Sequence, residues 1–135
     1  MHTKYFKNPF RLTRGIFCFC LFLFSSAMHA QAKAEWKTTK IDFERVKRGE
    51  VLHLDFIVTN TGNQPLLLKD DEVSCGCTTV DYSTKPILPG QSSTVTVNFD
   101  TKTVYGRQER IVKLYTNAAE KPVNLKYKGY VIYDK

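Results

Sequence analysis

Two cysteines separated by one glycine, Cys75-Gly76-Cys77, form the clearest candidate in this sequence for a reactive or metal-binding site. Neighbouring thiols can form a disulfide, exchange it with another thiol, or bind a soft metal ion. Gly76 allows the backbone to bend so that the two sulfurs meet, at the end of a strand or at a bulge. A disulfide across a single residue closes a very small ring, so it should add little stability through chain entropy and should be easy to reduce.

The residues around this pair argue against redox and metal chemistry. The acidic run 70–72 disfavours a thiolate, and Lys69 and Lys85 offset that effect only in part. Even with His53 as a weak third candidate, the two thiols make an incomplete set of zinc ligands. The sequence therefore favours a structural pair and no cofactor, and it leaves thiol–disulfide exchange and metal handling as alternatives.

The sequence shows no arrangement suited to ordinary enzyme catalysis. After residue 30, His53 is the only histidine, so a Ser-His-Asp or Cys-His arrangement would need it as the base. It stands beside Asp55 on the polar side of an alternating segment, where a solvated histidine needs no special role. No glycine-rich phosphate loop, calcium-loop spacing or paired-carboxylate site is recognisable. We therefore predict a protein that is not an enzyme and has no catalytic residues.

The first 30 residues have the features of a secretory signal peptide. Four basic residues precede an apolar run at 15–24, small residues follow, and we expect cleavage after Ala30 or Ala32. The apolar run is too short to span a bilayer, so we predict no transmembrane anchor in the mature form. Cys18 and Cys20, which lie inside the run, are interpreted as apolar filler. The mature protein is thus expected in the periplasm or outside the cell, where disulfides form.

The remaining chain, residues 31–135, has the size and charge of one ordinary domain. Removing residues 1–30 takes away four of the 20 lysines and arginines and none of the 13 acidic residues, so the net charge falls from +7 to +3. This balance gives no electrostatic argument for nucleic acid as a partner. The 105 residues left after the cut suffice for a single hydrophobic core.

The elements that must position the cysteines are predicted to be strands. Apolar residues alternate with polar ones in four segments, which is the period of a strand with one buried face. Clusters rich in Asn, Gly and Pro separate these segments and end the strands. This spacing predicts an all-β fold, an immunoglobulin-like antiparallel β-sandwich of about seven strands, with Phe56 deep in its core. The alternating segments are 51–58, 94–99, 112–114 and 123–128, and the separating clusters are 60–65, 86–90 and 117–122.

Two segments, IDFERVKRGE at 41–50 and FIVTNTGNQPL at 56–66, follow a recognisable pattern. They resemble the opening Φ-D-F-G-x-V-x-x-G-E signature and the F-x-x-x-N-T-G-x-x-P-L segment of one known family, the bacterial domain of unknown function 1573, which is common in exported proteins of Bacteroidetes. One position departs from the pattern, because Glu44 stands where the family usually has glycine. The matching segments are 41–50, 56–66, 74–78, 86–90, 97–100 and 116–118.

The resemblance implies a β-sandwich related to the ASH and major sperm protein modules, which bind or scaffold and do not catalyse. We therefore consider two possible functions, one suggested by this resemblance and one by the cysteine pair. The first is an exported binding or assembly module that holds another protein or an envelope component. The alternative is a thiol–disulfide or metal-handling envelope protein that acts through Cys75 and Cys77. We favour the first, because apolar residues on the outer side of the last strands suggest a second apolar face, formed by Ile111, Tyr115, Tyr130 and Ile132.

Overall fold

The computed structural model describes residues 30–133, which form eight β-strands and no helix. No helix in this range could therefore cross a membrane. The predicted signal peptide, residues 1–30, lies outside the described residues apart from Ala30, so its cleavage after Ala30 or Ala32 stays a prediction. The strands are β1 (Ala34–Trp36), β2 (Lys40–Lys47), β3 (Val51–Asn60), β4 (Leu68–Val73), β5 (Thr78–Asp81), β6 (Ser92–Asp100), β7 (Gly106–Thr116) and β8 (Val123–Ile132).

The strands form two sheets of four, with the order β1-β3-β6-β5 in the first sheet and β2-β8-β7-β4 in the second. This confirms the predicted all-β, immunoglobulin-like sandwich. Two details differ from the prediction: the described chain has eight strands instead of about seven, and β2 pairs with β8 in parallel. Strands β1 and β2 follow each other in the chain but belong to different sheets. After β1, the chain passes to the second sheet and lies beside the last strand.

The core lies between the sheets and is built from the alternating residues that the sequence indicated. Phe56 and Phe99 of the first sheet and Leu125 and Tyr127 of the second are fully buried. The rings of Phe99 and Tyr127 are 5.2 Å apart between centroids, and Phe43 of β2 lies 5.9 Å from Phe99. Each such side chain contributes roughly 1.5–3 kcal/mol when it is fully buried. The layer of apolar side chains between the sheets therefore supplies most of the stability.

Strand β2 contains a β-bulge that its residue pattern did not reveal. The pairing of β2 with β8 shifts register between Asp42 and Arg45. Glu44 lies inside this bulge with φ at 54°, the only positive φ of a non-glycine residue within 30–133. Glycine adopts this left-handed conformation without steric cost, whereas other residues do not. The glycine expected here in the resembled family would thus fit the observed backbone, and Glu44 holds it under strain.

Candidate functional site

Cys75 and Cys77 lie in the turn that joins β4 to β5. Strand β4 is at the edge of the second sheet and β5 is at the edge of the first, so this turn carries the chain from one sheet to the other. The two Cα atoms are 5.2 Å apart, within the usual range for a disulfide, and the sulfurs are bonded. Both side chains are half-buried. The pair therefore lies at the end of a strand and not at a bulge within one.

Hydrogen bonds fix this turn to both sheets. The Thr78 N–H donates to the Cys75 carbonyl at 3.2 Å, and the Asp100 N–H donates to the Cys77 carbonyl at 2.8 Å. The buried hydroxyl groups of Thr78 and Tyr127 are 2.6 Å apart, which links the turn to β8 of the second sheet. Burial raises the pKa of the Tyr127 phenol above its ordinary value, so the phenol stays neutral in this position. The disulfide thus closes a turn that hydrogen bonds already hold.

The acidic run before the turn is bound by side chains from other parts of the fold. Glu72 accepts hydrogen bonds from the Tyr115 hydroxyl at 2.7 Å and from Lys113 Nζ at 3.2 Å. The Tyr115 bond, followed by the Lys113 bond and charge, holds the pKa of Glu72 below its ordinary value. Asp71 accepts a hydrogen bond from the Tyr82 hydroxyl at 3.3 Å. These two carboxylates therefore have partners on β7 and on the segment after β5.

His53 lies on the outer face of the first sheet, where polar side chains pair with one another. Its Nδ1 is 2.5 Å from Oδ1 of Asn98, and the Asn98 amide donates to Asp81 at 2.5 Å. Nearby, the Thr96 hydroxyl donates to Asp55 at 2.7 Å. Within residues 30–133, no group of three or more His, Cys, Asp or Glu side chains could hold a metal ion. The structure therefore does not gather His53 with the two cysteines into a ligand set.

The outer face of the second sheet carries the exposed apolar residues that the sequence indicated. Tyr130 is 48% exposed and Ile111 is 38% exposed, while Tyr115 and Ile132 are half-buried. Each of these side chains also has a charged residue beside it on a neighbouring strand. The face is therefore a mixture of charged, mostly basic, and apolar residues. The neighbours are Lys126 for Ile111, Asp70 for Tyr115, Lys47 for Ile132, and both Arg45 and Arg107 for Tyr130.

Tyr130 and its two neighbours form what we call the Arg–Tyr–Arg row, consisting of Arg45 of β2, Tyr130 of β8 and Arg107 of β7. The three side chains line one depression of about 510 Å³, together with Glu44 and Lys128 among others. Neither arginine side chain makes a hydrogen bond or an ion pair with another residue of the described range. The sequence alone did not indicate either arginine, because the row exists only once β2, β8 and β7 lie side by side in this register.

The two packed four-stranded sheets define an immunoglobulin-like β-sandwich domain. The turn with its cysteine pair and the two outer faces are features of that scaffold. The chain belongs to a family of proteins of unknown function, DUF1573, whose family model matches residues 34–131. This confirms the family that the sequence motifs indicated.

Similar solved structures support the fold. A protein of unknown function from Porphyromonas gingivalis W83 is 19% identical with a TM-score of 0.67, over 79% of this chain and 50% of that one. The seventh PapD-like domain of human CEP192 is 11% identical with a TM-score of 0.61, and the match covers 100% of this chain and 99% of that domain. The Vibrio cholerae protease VesB is 15% identical with a TM-score of 0.55, and the match covers 75% of this chain and 31% of the protease.

These likenesses reach no further than the fold. The chain spans half the length of the P. gingivalis protein and less than a third of the protease. At such low identities, a shared sandwich carries no statement about activity. The comparison with curated proteins gives no match.

Proposed function

We propose that this protein is an exported, non-enzymatic binding or assembly module of the bacterial cell envelope, and that it holds its partner on the outer face of its second sheet. One observation carries the proposal: three side chains on the outer face of the second sheet have no polar partner, although other polar side chains on both outer faces bond across strands. Polar side chains on the first sheet bond to each other across strands. On the second sheet, Arg45, Arg107 and Tyr130 have no such partners within the described range. Arginine and tyrosine are also the residue types that dominate binding energy at protein surfaces.

Partner capture from an envelope extract tests this proposal. The mature protein is immobilised beside the variant Arg45→Glu/Tyr130→Ser, which alters the proposed face. The control variant is Lys85→Glu/Leu88→Ser, which makes the same change of charge and also removes an exposed apolar side chain, on the loop between β5 and β6. We expect one component to be captured in saturable amounts by the wild type and the control, and to be lost with the first variant. Equal capture by all three proteins would contradict the assignment of the face.

The export part of the proposal is supported by the charge and hydropathy pattern of residues 1–30 and by a cysteine pair suited to an oxidising compartment. N-terminal sequencing of the protein from its native host checks it. We expect the mature chain to begin at Gln31 or Lys33. A membrane-bound product that still begins at Met1 would contradict export with cleavage.

For Cys75 and Cys77 we propose a structural role without turnover. Their position supports it, since the turn is bonded to the end of β6 through Cys77 and to β8 through the adjacent Thr78. The bond then limits the motion of a segment that connects the edges of the two sheets. Thiol–disulfide exchange is the competing role.

A further inference from the structure

We propose that the depression around Tyr130 binds an acidic saccharide, that is, a sugar carrying a carboxylate group. This inference rests on the proposed function, since it names the class of ligand for the same face. It depends on three features of the depression: two arginines without partners, an exposed aromatic ring between them, and carboxylates at one side.

The two arginines supply the part that binds an anion. Adjacent strands lie about 4.8 Å apart, so Arg45 and Arg107, one on each side of β8, start roughly 10 Å from each other. Side chains of this length can reach one group held above Tyr130. A guanidinium binds a carboxylate through two parallel hydrogen bonds. Because no carboxylate in residues 30–133 bonds to either arginine, their donors are available to an anion from outside.

The rest of the depression suits the ring and the hydroxyl groups of a sugar. The Tyr130 side chain is 48% exposed, and its ring offers an apolar surface on which the C–H groups of a sugar can pack. Asp42 and Glu44 line the same depression. Lys128 Nζ lies 3.5 Å from Asp42, while the Glu44 carboxylate has no partner in the described range. Carboxylates accept hydrogen bonds, so these two can bind sugar hydroxyl groups.

An acidic protein segment fits this depression less well. Its carboxylates would lie close to Asp42 and Glu44, and like charges at such distances disfavour binding. Addition of a strand along the outer edge of β2 is also opposed by the bulge at Glu44, since bulges at sheet edges disrupt the ladder of backbone groups. Each ring of a sugar acid avoids both problems, because it carries several hydroxyl donors beside its carboxylate and can turn them toward Asp42 and Glu44 while the carboxylate faces the arginines.

Titration calorimetry with an oligogalacturonate, a chain of sugar acids, tests the inference. The matched ligand is the methyl ester of the same chain, which keeps the sugar rings and hydroxyl groups but has no charge. We expect the acid to bind the mature protein saturably and the ester to bind about tenfold more weakly or worse, because a charge-assisted pair contributes at least that factor. Raised ionic strength should weaken binding of the acid only.

Two variants locate the site. Arg45→Gln/Arg107→Gln should weaken binding of the acid by about tenfold or more. Tyr130→Ser should weaken both the acid and the ester, since it removes the surface on which the ring packs. Lys33→Gln/Lys121→Gln removes the same amount of charge from exposed side chains outside the depression, and its affinity should stay within about twofold of the wild type. Thermal melts of all variants establish that the fold is intact.

Several results would overturn the inference. Equal losses in the arginine and lysine variants would show that net charge alone attracts the ligand. Equal binding of acid and ester would show that the carboxylate is not recognised. Tighter binding of polyglutamate would assign the face to an acidic protein segment. No saturable binding of the oligogalacturonate would remove the saccharide, while partner capture that depends on the same face would leave the binding-module proposal standing.

Discussion

Replacing Glu44 with glycine should raise the free energy of unfolding. The φ of 54° at this residue lies in the left-handed region, which costs an ordinary L-residue about 1–2 kcal/mol. Glycine avoids that cost, but it loses about 0.5–1 kcal/mol more conformational freedom on folding. The Glu44 side chain is exposed and has no partner within the described range, so its removal costs little. The net gain is therefore about 0.75 kcal/mol, the middle of a range from about 0 to 1.5 kcal/mol, and this middle value corresponds to roughly 3–6 °C in Tm for a domain of this size.

Urea unfolding followed by circular dichroism measures this gain as a higher midpoint at an unchanged slope. Glu44→Ala is the matched control, because it removes the same charge but keeps a β-carbon at positive φ. We expect the alanine variant to be no more stable than the wild type. If alanine stabilises as much as glycine, the gain comes from the lost carboxylate and the argument from backbone strain is refuted.

The other predictions concern the core, the cysteine turn and the alkaline limit of stability. Phe56→Ala should lower the free energy of unfolding by about 3–5 kcal/mol in urea titrations, because Phe56 is fully buried; wild-type stability would mean that the faces of β3 are reversed. Cys75→Ser/Cys77→Ser should cost only about 1–2 kcal/mol and leave partner capture intact. A reversible couple near about −200 to −300 mV, together with reduction of a small-molecule disulfide, would instead make the pair an active site. Because the pKa of Tyr127 is raised above its usual 10.0, stability should be complete below that pH and fall above it, and Tyr127→Phe should flatten this loss in thermal melts across pH.

Alternation was sufficient to predict the central strands and their buried faces. Apolar residues recur at every second position from 52 to 58 in β3 and from 95 to 99 in β6, and Phe56 and Phe99 are buried as that period requires. Alternation did not predict three of the edge strands, for two reasons. Strands β1 and β5 have only three and four residues, and the bulge at Glu44 breaks the period of β2. Pairing partners and strand direction depend on long-range contacts that a period of two does not encode.

The sequence predicted the cysteine pair better than it predicted the Arg–Tyr–Arg row. Cys75 and Cys77 stand out by residue type, but their place between the sheets follows from β4 and β5 lying at the edges of different sheets. Tyr130 was indicated as an outward-facing apolar residue, but Arg45 and Arg107 are far from it in the chain and have no distinguishing local pattern. They come together only through one parallel and one antiparallel pairing to β8, neither of which leaves a local signal.

The parallel pairing of β2 with β8 also bears on when the domain can fold. It joins Lys40 to Lys126 and Lys47 to Ile132, so nearly the whole domain must be looped out before this ladder closes. Contacts between such distant residues make folding slow compared with that of helical proteins. A chain that emerges with its amino terminus first, from a ribosome or a secretion channel, presents β2 long before its only neighbour in the sheet exists. The second sheet can thus be completed, and the Arg–Tyr–Arg row assembled, only after β8 has emerged.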